Sequence, residues 1–171
     1  MKAVLISIHP KWCEKIFNGQ KTIEVRKSRP KIDTPFKVYV YQTKHNGGKG
    51  CKVIGEFICD KVDAYTFSNY EAQYRINDVD LIKTCLNFPE LIAYGKGKIL
   101  YGWHISDLKI YDKPKEIADF YKPCPFNEDC DILCPHAEGE YHGDGISGDV
   151  EIIGCLNRIT RPPQSWCYIE V

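Results

Sequence analysis

Residues Ala3–Ile8 read AVLISI, apolar at every position but one and rich in branched side chains. Such a run is a buried strand. Pro10 follows at once, where a helix can start, and Trp12, Cys13, Ile16 and Phe17 recur at helical spacing. Asn18-Gly19 closes that helix, with Gly supplying the left-handed cap. Lys21–Lys27 then alternates as a second strand. Ile23 and Val25 point one way, and Thr22, Glu24 and Arg26 the other.

The pattern continues in the same mixed style. Phe36–Gln42 (FKVYVYQ) predicts a strand, Asn46–Gly50 a flexible turn, and Lys52–Tyr65 a strand in which Gly55 marks a bulge or a close backbone approach. Asp80–Tyr94 reads as helical with a break near Pro89. Lys98–Tyr111 predicts a long strand, and Pro114–Phe120 a short helix with Pro in its first turn. Lys122–Ile152 reads as irregular, and a last strand, Trp166–Glu170, follows a double proline. Five or six strands with a few short helices give an α+β fold. Periodicity does not choose between a sandwich and a small barrel. A length of 171 residues suits one domain over 1–171, with 121–160 an insert within it.

Charge is unevenly spread. The formal net charge is zero, yet Met1–Lys31 carries eight basic and two acidic residues, while Asp119–Glu151 carries nine acidic residues and one basic, Lys122. A polyanion would meet the head of the chain rather than the insert. Overall neutrality argues against tight non-specific nucleic-acid binding, which needs many phosphate contacts, and suits a small ligand or a short strand. No apolar run is long enough to span a bilayer, and the N-terminus lacks the pattern of a signal peptide. Nine cysteines, an odd number, fit reduced thiols in the cytoplasm better than a secreted disulfide framework.

Three of these cysteines cluster with a histidine. Cys124, Cys130, Cys134 and His136 lie in an acidic loop with few apolar residues, which is costly to order without a staple. A structural, tetrahedral zinc held by these four would supply it, with His142 and Cys155 as alternatives for the fourth place. Cys13, Cys59, Cys85 and Cys167 read as small buried hydrophobes.

The order Ser7-Ile8-His9-Pro10-Lys11, then a helix, then Gly19-x-Lys21-Thr22-x-Glu24-x-Arg26 resembles the ASCH family of the PUA-like superfamily. The strand Val53–Asp60, the run Trp103-His104-Ile105 and the ending Arg161–Tyr168 are similar to it as well. The resemblance covers roughly Ala3–Phe120 and Arg161–Val171. It implies a PUA-like small β-barrel of five to six mixed strands, with short helices at its flank and the Cys-rich loop inserted. It also implies binding of RNA or of a modified nucleotide, and some members hydrolyse modified nucleosides.

On this reading the ligand lies against Gly19–Arg26. Lys21 contacts phosphate, or serves as base or nucleophile; Arg26 offers a bidentate fork; Glu24 accepts from an exocyclic amine or pairs with Arg26. Thr22, His9 and Trp12 stand nearby in sequence, and Gln164, Ser165 and Trp166 follow the double proline as candidates to read or stack a base. In the amidohydrolase members that the resemblance brings in, a Lys and a Thr cooperate with a distant Glu. Lys21 matches the Lys, Glu24 stands where the Thr is expected, and Glu56 is the candidate for the distant Glu. A hydrolase of modified nucleosides, with Lys21 and Glu24 in chemical roles, is therefore the second reading. A protein-interaction module using the acidic insert is the third.

Overall fold

The computed structural model describes residues 2–44, 51–124, 137–143, 148–155 and 157–170. Its strands are β1 (Lys2–Ile8), β2 (Ile23–Arg26), β3 (Phe36–Gln42), β4 (Lys52–Tyr65), β5 (Phe67–Ser68), β6 (Gln73–Tyr74), β7 (Leu100–Lys115), β8 (Ala137–Gly143), β9 (Gly148–Cys155) and β10 (Trp166–Glu170). The helices are α1 (Pro10–Phe17), α2 (Asp78–Thr84) and α3 (Phe88–Gly95), with a 3-10 turn at Ile117–Asp119. Among the described residues no helix is long and apolar enough to cross a membrane.

Six strands form one mixed sheet in the order β10-β1-β3-β4-β7-β2. β1 and β3 run parallel, and every other neighbour is antiparallel. β1 is covered on both faces, which is what its apolar run, broken only by Ser7, requires. Val4, Ile6 and Ile8 pack with Val38, Val40, Phe57 and Trp103 on one side. Ala3 and Leu5 pack with Tyr39, Tyr41, Phe120 and Ile169 on the other. Leu5 and Ile6 are fully buried, each contributing roughly 1.5–3 kcal/mol by removal from water. A third cluster, Val25, Tyr65, Tyr74, Leu91 and Leu100, seats α3 and the β5/β6 hairpin on the far end of the sheet.

The first four sequence-predicted elements form where expected. Gly19 carries φ +76°, and its N–H returns to Ile16 O at 3.0 Å. Gly55 is a point of close approach, because a Cβ there would stand 2.5 Å from Lys109 O. Register shifts beside it, and again near Glu56 and Cys59, bend the long β4–β7 ladder.

Three expectations need correction. The ladder among the described residues is open rather than a closed barrel: β2 and β10 end the strand order and do not pair. The bent sheet instead brings its two ends within side-chain reach, and Arg26 Nη2 donates to Ser7 O at 2.7 Å from β2 to β1. Pro114 starts no helix but lies inside β7, whose other edge is unpaired there because β2 reaches only Tyr101–His104. The stretch expected to be irregular contains the β8/β9 hairpin. Pro89 sits in the first turn of α3, so the helical break falls just before it, at the left-handed Cys85. Asn46–Gly50 lies outside the described residues.

Candidate functional site

Glu24 is the centre of the site. It lies on β2, whose four residues are all buried, including the two polar ones. Lys21 Nζ lies 3.4 Å from Glu24 Oε2, and Arg26 Nη2 lies 3.0 Å from Glu24 Oε1. The strand period puts Glu24 and Arg26 on one face, and the turn after Gly19 feeds Lys21 in beside them. One carboxylate balanced by two cations leaves the group with net positive charge, which favours an anionic or electron-rich ligand.

Lys21 differs from its expected role. Its ammonium donates to Ile23 O at 2.9 Å and Thr84 O at 2.7 Å, and Glu24 takes the third direction. With two of its three protons on backbone carbonyls and Glu24 as its ion-pair partner, the ammonium is held as a structural tie rather than presented to a substrate. Lys21 instead ties β2 to the C-terminal end of α2. Thr22 supports the same joint through its backbone, donating to Lys83 O and accepting from Ile105 N. Its side chain is not among those lining the site.

Arg26 keeps spare capacity. Nη2 serves Ser7 O and Glu24, and Nη1 reaches Ser165 Oγ at 3.4 Å. Nε is buried without a hydrogen-bond partner among the described residues. A buried donor of that kind asks for an acceptor.

These residues open onto a pocket of about 820 Å³, within the usual range of roughly 300–1,000 Å³ for small-molecule sites. Glu24, Lys21 and Arg26 line it together with His9, Trp12 and Gln164. His9 also caps α1, its Nδ1 accepting from Lys11 N at 3.3 Å. Trp12 is half-buried, and the ammonium groups of Lys11, Lys15 and Lys21 lie 4.7, 5.6 and 5.2 Å from its ring centre. Two C-terminal candidates do not line the pocket. Ser165 stands behind the site, its carbonyl accepting from Ser7 N. Trp166 packs on Trp103 and Tyr168, and its Nε1–H donates to Ser28 Oγ at 3.0 Å, so it belongs to the core rim rather than the pocket.

Sequence reasoning missed the wall opposite α1. Leu86, Glu90 and Tyr94 come from α3 and the loop before it, and Tyr41, Thr43 and Lys44 from the end of β3. Burial, and to a lesser extent Glu24, raise the Tyr94 phenol above its ordinary value against the opposing pull of Arg26. Its ring also carries Lys27 at 4.7 Å. Tyr41 is pushed to about 12, by burial first and then by Cys51. Both phenols keep their protons at neutral pH and can donate.

Glu56 is not brought to Lys21. It pairs with Lys37 Nζ at 3.1 Å and accepts from Tyr111, away from the pocket. Burial pushes its carboxyl up, but those hydrogen bonds outweigh burial and hold it below the ordinary value. Cys13 and Cys59 are buried as expected, each thiol pushed by burial to about 12, whereas Cys85 and Cys167 are half-buried. Of the expected zinc ligands, Cys130, Cys134 and His136 lie outside the described residues. Cys124 is half-buried, and its N–H donates to Glu170 Oε2 at 3.0 Å.

Comparison with known proteins agrees with this frame. The family model described as the ASCH domain matches residues 6–166. The ASCH crystal structure from Zymomonas mobilis superposes with a TM-score of 0.51 at 18% identity, over 67% of this chain and 73% of that one. A tyrosine-to-phenylalanine variant of that protein gives 0.52 at 18% identity, over 68% and 77%. At such identity the likeness speaks for the fold. No curated protein matches in sequence.

Proposed function

Because the chain belongs to the ASCH domain family, we propose that its pocket binds RNA or a modified nucleotide, with one base held against Glu24. The observation that carries this reading is a buried Glu24, clamped between Lys21 and Arg26, facing a pocket with Trp12 and Tyr94 in its walls. A carboxylate fixed in this way accepts hydrogen bonds from a base edge that presents N–H donors. Trp12 and Tyr94 offer stacking faces. Arg26 Nε, which has no acceptor among the described residues, suits a base carbonyl or a phosphate oxygen. The exposed Lys11 can leave the Trp12 ring to follow a backbone phosphate.

Hydrolysis draws less support. Two protons of Lys21 are held by backbone carbonyls and its charge is paired with Glu24, and Glu56 lies elsewhere. Reduced thiols fit a cytoplasmic setting, and the spacing of Cys124, Cys130, Cys134 and His136 supports a structural zinc. Elemental analysis of chelator-free protein tests the metal; zinc well below one equivalent sinks it.

The ligand test is titration of short mixed-sequence oligoribonucleotides and free nucleosides, followed by tryptophan fluorescence. Trp12→Ala and Tyr94→Ala should each weaken binding by about 1–3 kcal/mol, the worth of one stacked base. A wild-type chain that binds neither class of probe overturns the reading.

A further inference from the structure

Away from the pocket, three ligating side chains from three elements converge on the sheet face beneath α2. His104 Nε2 on β7 lies 2.8 Å from Asp63 Oδ2 on β4. Asp80 of α2 adds a second carboxylate, so that one donor atom from each residue lies within 4.8 Å of the others. All three side chains are half-buried. The register explains the meeting: Asp63 pairs with Gly102, which puts His104 one period further along the same face.

A second observation comes from Tyr65, one period beyond Asp63 on β4. It is 4% exposed, and its hydroxyl is buried without a hydrogen-bond partner among the described residues. That hydroxyl stands over the cross-strand partner of Asp63, since a Cβ on Gly102 would be 2.4 Å from it. The hydroxyl is thus a buried donor beside the cross-strand neighbour of Asp63, without an acceptor of its own among the described residues.

We propose that Asp63, Asp80 and His104 form a binding site for a zinc-like divalent transition cation, with Tyr65 donating to an oxygen of its coordination shell. Two carboxylates and one imidazole suit such a cation and leave a coordination position for water. A hydrogen bond from Tyr65 to that water is the outer-shell support metal sites use. Lys61 Nζ, 2.8 Å from Asp63 Oδ2, is the competing cation. Its side chain is 60% exposed and can turn into solvent. Lys83 lies further off, 4.0 Å from Asp80. The site would fix α2 at Asp80, while the other end of that helix receives Lys21 through Thr84 O. A cation bound there would stiffen the helix whose far end holds Lys21 of the pocket.

Cobalt(II) titration of the full chain tests this, because optical spectra separate thiolate-bound cobalt from cobalt held by oxygen and nitrogen. The site predicts a cobalt equivalent with visible bands and no thiolate charge-transfer absorption. Asp80→Asn should weaken that component by at least about 100-fold and Tyr65→Phe by about 10-fold, at or beyond the range for outer-shell changes. The Asp80 backbone N–H keeps its bond to Asn77 in the Asn variant; should it fail to fold, Asp63→Asn carries the same test. Cobalt that is all thiolate-bound, no cobalt at all, or undiminished binding in the folded variants overturns the proposal.

Discussion

Two strand glutamates, Glu24 and Glu56, each sit beside a lysine and among aromatic rings, yet they live in different surroundings. Glu24 is 8% exposed and pairs with Lys21 at 2% and Arg26 at 10%. Glu56 is similarly covered, at 12%, but its Lys37 is 38% exposed and solvated. The first group is closed, with two cations tied to carbonyls and opening only onto the pocket. The second is a rim pair. The difference lies in what the cation can do when its carboxylate is lost: Lys37 turns to water, whereas Lys21 and Arg26 stay buried.

The largest test of that contrast is Glu24→Gln. Removing one partner of a buried charged group should cost about 3–5 kcal/mol of stability in urea unfolding. A loss under about 1 kcal/mol would place Glu24 with the rim pairs. Next comes Lys21→Met, which strips the donor from Thr84 O and Ile23 O. Each buried acceptor left unpaired costs about 1–3 kcal/mol, and amide exchange in α2 should quicken more than in β1.

Glu56→Gln should cost only about 0–1 kcal/mol, as expected for a half-exposed pair. The smallest effect is its pH dependence. Because the folded Glu56 carboxyl is held below its ordinary 4.5, its contribution is present above that value and is lost as pH falls through the folded value. The stability gap between wild type and Glu56→Gln should therefore shrink on acidification below 4.5. A gap that widens in acid would mean Glu56 is destabilising when charged.

Much of the frame was legible because local chemistry wrote it. Pro10 and Gly19 bracket α1, and β4 occupies the same Lys52–Tyr65 run that alternation marks. Pro114 misled because a proline near short helical spacing looks the same whether or not the other strand edge is paired. Only the short reach of β2 makes it tolerable in β7. The cluster Lys21, Glu24 and Arg26 was visible by strand period, but its saturation was not. The acceptor Thr84 O lies 63 residues away, and no local pattern announces it. Tyr94 and Glu90 were missed for the same reason. Glu24 and Glu56 were indistinguishable in the sequence, since a partner's solvation is a property of packing. Trp166 looked like a stacking residue until Trp103, itself fully buried, claimed its face.

The bond from Arg26 to Ser7 closes the sheet where backbone pairing does not, and that makes it a clasp across a seam. A ladder of amide bonds yields cooperatively, but a single guanidinium can let go alone. The pocket lies astride this seam, with Ser7 and Gln164 on one lip and Arg26 on the other. Whatever fills the pocket holds both lips at once, so occupancy and closure strengthen each other. The edges of the seam should then be the first backbone to exchange when the pocket is empty, and the most protected by a ligand.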